Sequence, residues 1–346
     1  MKIETIYKST IAALALSLAL GSGAALAEDG MFGLDASVIA AAKAEGSLTF
    51  YSAQAQDLAE RTASAFEEAF PGVEVNIIRA ASGTLANRFS TEYEAGVFEA
   101  DAIDISNLEL FESHPDWFVP VNAELIPGLA KWPAQELGPN YFNATQGPQL
   151  IAYNPNLIPA DVPLKTWEDI LRPEFKGKGM LVDPRASNTY LNWVSLMYDT
   201  YGEDFVTKLR DQNFTLVEGG SQGAQQVVAG AYWFVVPPSY AHAQPLVDAG
   251  APLAVTYPSE NSDITALGPM HSWGLMAKAP HPNLARVFLA WVTTEDGEKV
   301  VCGGNSASVI LTDFDGCPKP AAKFKSADLP IPEDRKAELL RLLGLQ

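Results

Sequence analysis

Cysteine is scarce. The 346-residue chain has two, Cys302 and Cys317. They lack CxxC spacing and have no histidine nearby, so neither a redox dithiol nor a zinc site has its ligands. In an oxidising compartment such a pair forms a structural disulfide across a loop of about 15 residues. Positive charge is also short: 23 Lys and Arg stand against 42 Asp and Glu, a formal charge of −19. A surface of that sign argues against nucleic acid or an anionic membrane face as partner, since both are polyanions. Walker loops, dinucleotide fingerprints and zincin motifs are missing, as are repeats of solenoid period and low-complexity linkers. With 47% hydrophobic residues the composition excludes a disordered chain. The length suggests two domains, because single cores seldom grow beyond about 250–300 residues.

Long apolar runs are confined to the N-terminus. Lys2 and Lys8 precede the Ala- and Leu-rich stretch Ile11 to Leu20, and Ala25-Leu26-Ala27 offers small residues for cleavage before Glu28. This is the form of a secretory signal over residues 1–27, too short for a span of roughly 20 apolar residues. The expectation is an exported, periplasmic product.

Beyond it the pattern alternates. A helical stretch from Val38 to Ala44 leads to a compact strand, Gly46 to Tyr51, and then to a helix with Leu58, Thr62, Ala65, Phe66 and Ala69 at helical spacing. Val73, Val75 and Ile77 alternate as a half-buried strand, and Ser82-Gly83-Thr84 opens another helix. The pattern restarts with strands at 150–153, 180–182, 214–217 and 233–236, a helix from about Asn188, another through Val228, a strand at 273–277 and an apolar helix from Leu284 to Val292. This is α/β architecture with sheets covered by helices on both faces.

In open α/β sheets small molecules settle beyond the carboxyl ends of strands, where helix starts present unpaired N–H groups. Five turns rich in small polar residues have that position: Ser52-Ala53-Gln54, Ala81-Ser82-Gly83-Thr84, Ser106-Asn107, Ser187-Asn188-Thr189 and Gly219-Gly220-Ser221-Gln222. Any one alone is an ordinary capped helix. Their recurrence across two lobes points to a polar cleft. Arg79 or Arg185 offers a full positive charge there, the plain alternative for each being a surface ion pair. Tyr51, Tyr240, His271 and Trp273 are aromatic candidates for its walls, or for ordinary core packing.

The ordered set Leu48-Thr49-Phe50-Tyr51-Ser52, Ser82 to Arg88, Ile151-Ala152-Tyr153-Asn154, Trp167-Glu168-Asp169, Phe175 to Gly179, Asp183-Pro184-Arg185 and Ala279 to Asn283 resembles the periplasmic solute-binding proteins of ABC importers. It is closest to the type II cluster that includes the ferric-ion-binding proteins. The resemblance implies a two-lobed fold with a two-strand hinge, near Gly147 to Gln149 and Leu267 to Met270. Lobe 1 would span 28–146 and be completed by about 268–300, and lobe 2 would span 147–267. Residues 301–346 form a C-terminal segment assignable to either. It further implies a small-molecule solute and an inner-membrane ABC permease as partners, a monomer, and no nucleic acid, cofactor or catalytic residue. Ser187, Asn188 and Thr189 fall where ferric members bind a synergistic anion, and Gly220-Ser221 at a neighbouring loop. The ferric ligands themselves are altered: the His position reads Ala55, the carboxylate position Ser106, and of two adjacent tyrosines only Tyr240 remains, followed by Ala241. Hard ferric ion prefers anionic oxygen, so no metal ligand is assigned. A small anionic solute is the expectation and ferric or chelated iron the alternative. His242, two residues beyond Tyr240, reads as a softer substitute ligand or, more commonly for a lone histidine, as an ordinary surface or supporting residue.

One competing class is enzymatic. Gly219-Gly220-Ser221-Gln222-Gly223 fits GxSxG, and Asp248 or Asp263 and His271 or His281 follow in hydrolase order. The upstream oxyanion segment is missing. A ligand-sensing subunit presenting its closed form to a receptor uses the same clamp, and neighbouring genes would separate it from a transporter.

Overall fold

The computed structural model describes residues 30–261, 263–302, 307–310, 317, 321 and 323–346. The expected signal segment lies outside them. No helix among the described residues is long and apolar enough to cross a membrane.

The strands in chain order are β1 Ser47–Ser52, β2 Glu74–Arg79, β3 Ala102–Ile105, β4 Phe142–Gln146, β5 Ile151–Tyr153, β6 Gly179–Val182, β7 Thr215–Val217, β8 Phe234–Val236, β9 Ala254–Thr256, β10 Ala266–Gly268, β11 Met270–Leu275, β12 Ala307–Ser308 and β13 Phe324–Ser326. One sheet has the order β12-β4-β11-β3-β1-β2 and the other β7-β6-β8-β5-β9, while β10 pairs with β13. In the first, β1 runs parallel to β2 and β3, and β11 runs antiparallel to β3 and β4. In the second, β6 is parallel to β7 and β8, and β5 antiparallel to β8 and β9.

Local chemistry sets the element ends. Gly46 closes helix Ala36–Glu45 in the left-handed region, φ 76°, so β1 begins one residue later. Helix Gln56–Ala69 buries Leu58, Ala59, Thr62, Ala63 and Phe66 against the first sheet. Helix Pro282–Val292 is apolar nearly all round and is correspondingly submerged: from Leu284 to Val292 only Arg286 stays out of the core. There Phe50 stacks on Trp273, with ring centroids 5.1 Å apart. The second lobe has its own core, with Trp167 against Trp193 and Leu339, Leu342 and Leu343 of helix Glu333–Leu343 packed into it.

The chain passes between the sheets by backbone-paired crossovers. Gly147 N–H donates to the Pro269 carbonyl (2.8 Å) and Gln149 N–H to the Leu267 carbonyl (2.7 Å). A third passage follows Cys317, which is disulfide-bonded to Cys302. Ala321 N–H donates to Gln146 Oε1 at 3.0 Å, and Ala327 N–H donates to the Gly268 carbonyl at 2.8 Å. The C-terminal segment is thus divided: β12 extends the first sheet, and helix Glu333–Leu343 joins the second lobe.

Candidate functional site

A cleft of about 590 Å³ lies between the two sheets, lined from both lobes, from the crossover at Pro269 and His271, and from Asp328 of the C-terminal segment. Five strands deliver helices to it: β1 to Gln56–Ala69, β2 to Ser82–Glu94, β6 to Asn188–Tyr201, β7 to Gly220–Val228 and β8 to Tyr240–Asp248. The residues before or at these helix starts form its walls. Four of the five helices begin after Ala55, Ala81, Ser187 and Gly219, and none of these provides a side-chain cap. Their first-turn amides therefore lack the usual side-chain acceptor, and the helix dipoles favour negative charge at that spot.

Gln54 is the least satisfied residue of the wall. It is 3% exposed, and neither its amide nitrogen nor its amide oxygen has a partner among the described residues. A primary amide left so in a folded core costs about 1–3 kcal/mol. Arg79 lies beside it, its Nε donating to the Gln54 carbonyl at 2.9 Å, and it makes no ion pair among the described residues. It is the cation of the cleft. Ser106, Ser187 and Ser221 also line the cleft. Ser82 does too, but its Oγ already accepts the Ser106 and Asn107 N–H groups at 2.9 and 3.0 Å. Thr189 Oγ1 donates to Asp328 Oδ1, which fixes a carboxylate in the opposite wall.

Two imidazoles complete the lining. His271 Nδ1 lies 2.9 Å from Oδ1 of the fully buried Asp104. Burial alone would lower its pKa, but the charge and hydrogen bond of Asp104, aided by Asp328, hold it above the ordinary histidine value. His242 is the reverse case: burial with no acid beside it pulls its pKa down to about 4. Asp104 thus favours the protonated form of His271, while burial holds His242 neutral.

Half of the residues singled out from sequence lie elsewhere. Ser52 is fully buried, and its Oγ donates to Asp104 Oδ2 at 3.2 Å, so it supports the His271 pair from beneath. Gly83 and Asn188 sit on helix first turns without reaching the lining. Arg185 is an exposed fork closed on Asp183, with Nη2 to Oδ2 at 2.7 Å, outside the cleft. Gly220 is buried behind the wall and donates its N–H to Tyr190 Oη at 3.3 Å. Trp273 shares a β11 face with His271 but lies two residues deeper, where Phe50 and Phe288 cover it. Tyr240 is turned into the second lobe's core beside Tyr257, and burial together with Asp248 pushes its phenol up to about 12. Tyr51 is core as well, its hydroxyl donating to Glu92 at 2.7 Å.

Tyr190, Ser239 and Asp328 line the cleft without having been singled out, and His242, read from sequence as an ordinary surface or supporting residue, lines it too. Ser239-x-x-His242 at a helix start has the spacing of a capping box and was a usable signal. Asp328 had none: only folding brings the C-terminal segment back.

The chemistry of the wall is that of a binding site. The positions expected to lack ferric ligands, Ala55, Ser106 and Ala241, do face the cleft. No three His, Cys, Asp or Glu side chains among the described residues are grouped to hold a metal ion. A hydrolase triad is likewise unassembled among them. His281 is held by Asp101, Asp248 accepts from Gln244, Asp263 pairs with Lys323, and no histidine bonds to Ser221.

Known proteins are similar to this chain in sequence and fold. The Fe(3+)-binding periplasmic protein of Serratia marcescens is 25% identical over 323 residues, 88% of this chain and 86% of that protein. The substrate-binding protein of an ABC transporter from Agrobacterium tumefaciens superposes with a TM-score of 0.69 at 16% identity, over 87% of this chain and 94% of that one. The Trichodesmium protein IdiA (FutA), solved in complex with iron and citrate, superposes at 0.63 and 18% identity, over 87% and 100%. The Bacterial extracellular solute-binding protein profile matches residues 45–299. A two-lobed α/β chain with a polar cleft at its crossover, matched over most of its length by that profile, belongs to the bacterial extracellular solute-binding protein family.

Proposed function

We propose that this chain captures a small anionic solute between its lobes, without chemistry, and hands it to an inner-membrane ABC permease, acting as a periplasmic monomer after cleavage behind Ala27. The observation that carries the reading is Gln54: a buried side-chain amide with no partner among the described residues, in a cleft that also holds Arg79, which makes no ion pair among those residues, and four helix starts without a side-chain cap. An oxyanion accepts from the Arg79 guanidinium, the serine hydroxyls, the helix-start amides and Gln54 Nε2–H, while Gln54 Oε1, itself an acceptor, takes a proton from a hydroxyl of the solute or from water. In an acidic protein such local donors are what overcomes the overall field. Ser106, Ser187 and Ser221 are assigned as hydroxyl contacts, Ser82 and Thr189, whose hydroxyls are already engaged, as positioning residues, and His271 as an imidazole held in place by Asp104. The lobes turn about the Gly147–Gln149 and Leu267–Met270 crossovers, and a solute touching both walls favours the closed form.

A second reading has support in the relatives named for ferric ion and for iron with citrate. In it the cargo is an iron chelate whose outer carboxylates meet the same donors. Thermal shift and calorimetry with phosphate, sugar phosphates, phosphonates, citrate, ferric citrate and ferric ion decide between them. Stabilisation that grows with the concentration of an iron-free anion supports the main reading. A response confined to ferric citrate supports the chelate. A response to ferric ion with no anion present, or to none of the panel, sinks the proposal.

A further inference from the structure

His242 differs from the other cleft residues in that the place of its proton follows from geometry. Its Nδ1 lies 3.1 Å from the Ser239 backbone nitrogen and 3.1 Å from Ser239 Oγ. A backbone N–H can only donate, so Nδ1 is the acceptor and carries no proton. The proton of the neutral ring therefore sits on Nε2. The ring is also held in place: a Cβ on Gly220 would fall 2.3 Å from Nδ1, so the imidazole packs directly on that glycine. Nε2 has no partner among the described residues, and the side chain lines the cleft. Burial keeps the ring neutral down to a pKa of about 4.

We infer that His242 is a fixed-tautomer donor that presents Nε2–H to the anionic solute, and that the same Ser239 contact disqualifies it as a metal ligand. The inference rests on the anion-capture reading and deepens it. A histidine that ligates a metal through Nε2 carries its remaining proton on Nδ1 and gives it to an acceptor. Here Nδ1 faces the Ser239 N–H, so ligation would set two donors head to head and break the start of helix Tyr240–Asp248. An oxyanion meets the ring as it stands. The lock also selects among solutes: a group with an acceptor lone pair at this point gains a partner, whereas an ammonium, which can only donate, meets another proton.

Two measurements on the full-length mature protein test this. Long-range ¹H–¹⁵N spectra of the histidine rings, with His242 assigned by its loss in His242→Gln, should show Nδ1 unprotonated and Nε2 protonated at neutral pH. Calorimetry with citrate and with inorganic phosphate should show His242→Leu binding at least tenfold more weakly. His242→Gln retains an N–H near the Nε2 position and should recover most of that loss. Adding ferric citrate should leave the Nδ1 signal in its unprotonated position. A proton on Nδ1, unaltered anion binding by His242→Leu, or an iron-induced move of the proton to Nδ1 each overturns the inference. If the unaltered protein binds neither of these anions nor the sugar phosphates and phosphonates of the wider panel, the capture reading falls and donation falls with it. If it binds one and His242→Leu binds it equally well, only the role of His242 falls.

Discussion

Gln54 is where stability and binding pull in opposite directions. Its two amide atoms are buried without partners, so an apolar side chain of similar volume should suit the solute-free protein better. Gln54→Met is expected to raise the unfolding free energy by about 1 kcal/mol while weakening the bound anion about tenfold or more. Calorimetric melting with and without solute reads both, and a variant both less stable and equally tight would remove Gln54 from the site. Side-chain fate is the scale at which sequence was least informative. Tyr240 and Trp273 have the composition of cleft walls, yet both are core, because a strand or helix start places neighbours a few ångströms apart on opposite sides of that boundary. Arg185 was lost to a nearer charge, Asp183, two residues away.

At the scale of elements the proposed function rests on the helix starts. Ser187 stands at the N-cap of its helix and Ser221 in the first turn of the next, and neither helix has a side-chain cap, so their hydroxyls are spent on nothing local. The double variant Ser187→Ala/Ser221→Ala should melt where the unaltered protein does and bind about tenfold more weakly, the net worth of one or two hydrogen bonds. Equal affinity in that variant would remove the serines from the cradle. Helix Glu295–Cys302 buries Glu298 beneath β12, hydrogen-bonded to Ser308 Oγ, and burial raises its carboxyl to about 8. The folded protein thus keeps a proton that the unfolded chain releases near the ordinary value of 4.5. Stability from this group is complete below about pH 4.5, falls as pH rises through the window, and levels off above about 8. Urea midpoints at pH 5 and pH 8 should differ in this sense, and Glu298→Gln should narrow the difference. Strand–helix alternation was legible because amphipathic helices such as Gln56–Ala69 show an apolar stripe at helical spacing and Pro282–Val292 is apolar nearly throughout. β4 was not, since its Asn143, Thr145 and Gln146 are polar yet buried on both faces between β11 and β12.

For the whole molecule the crossovers matter most. Gly268 sits so close to its partner that a Cβ would lie 2.0 Å from the Gly147 carbonyl oxygen. Gly268→Ala should therefore push the crossovers apart, lower the stability by about 1–3 kcal/mol, and reduce the contraction on solute binding seen by small-angle scattering. A variant that melts and contracts like the unaltered protein would show the close approach to be dispensable. The disulfide ties the end of helix Glu295–Cys302 to the region beside β12, next to the third passage between lobes. Replacing Cys302 and Cys317 together by serine should cost about 3 kcal/mol, as expected for a loop of about 15 residues, measured by denaturant unfolding without reductant.

The sequence by itself determined the α/β character, the positions of most helix starts, the scarcity of cation chemistry and the polar nature of the cleft. These follow from local periodicity, capping and composition, which neighbouring residues decide among themselves. Only the tertiary structure decided which polar residues face the solute. Gln54 stands out because the described residues close around it without offering either amide atom a partner. His242 holds its proton on one nitrogen because a backbone amide claims the other. Asp328 enters because the C-terminal segment returns to pair β13 with β10. Each of these depends on contacts between segments far apart in the chain, and no local pattern records them.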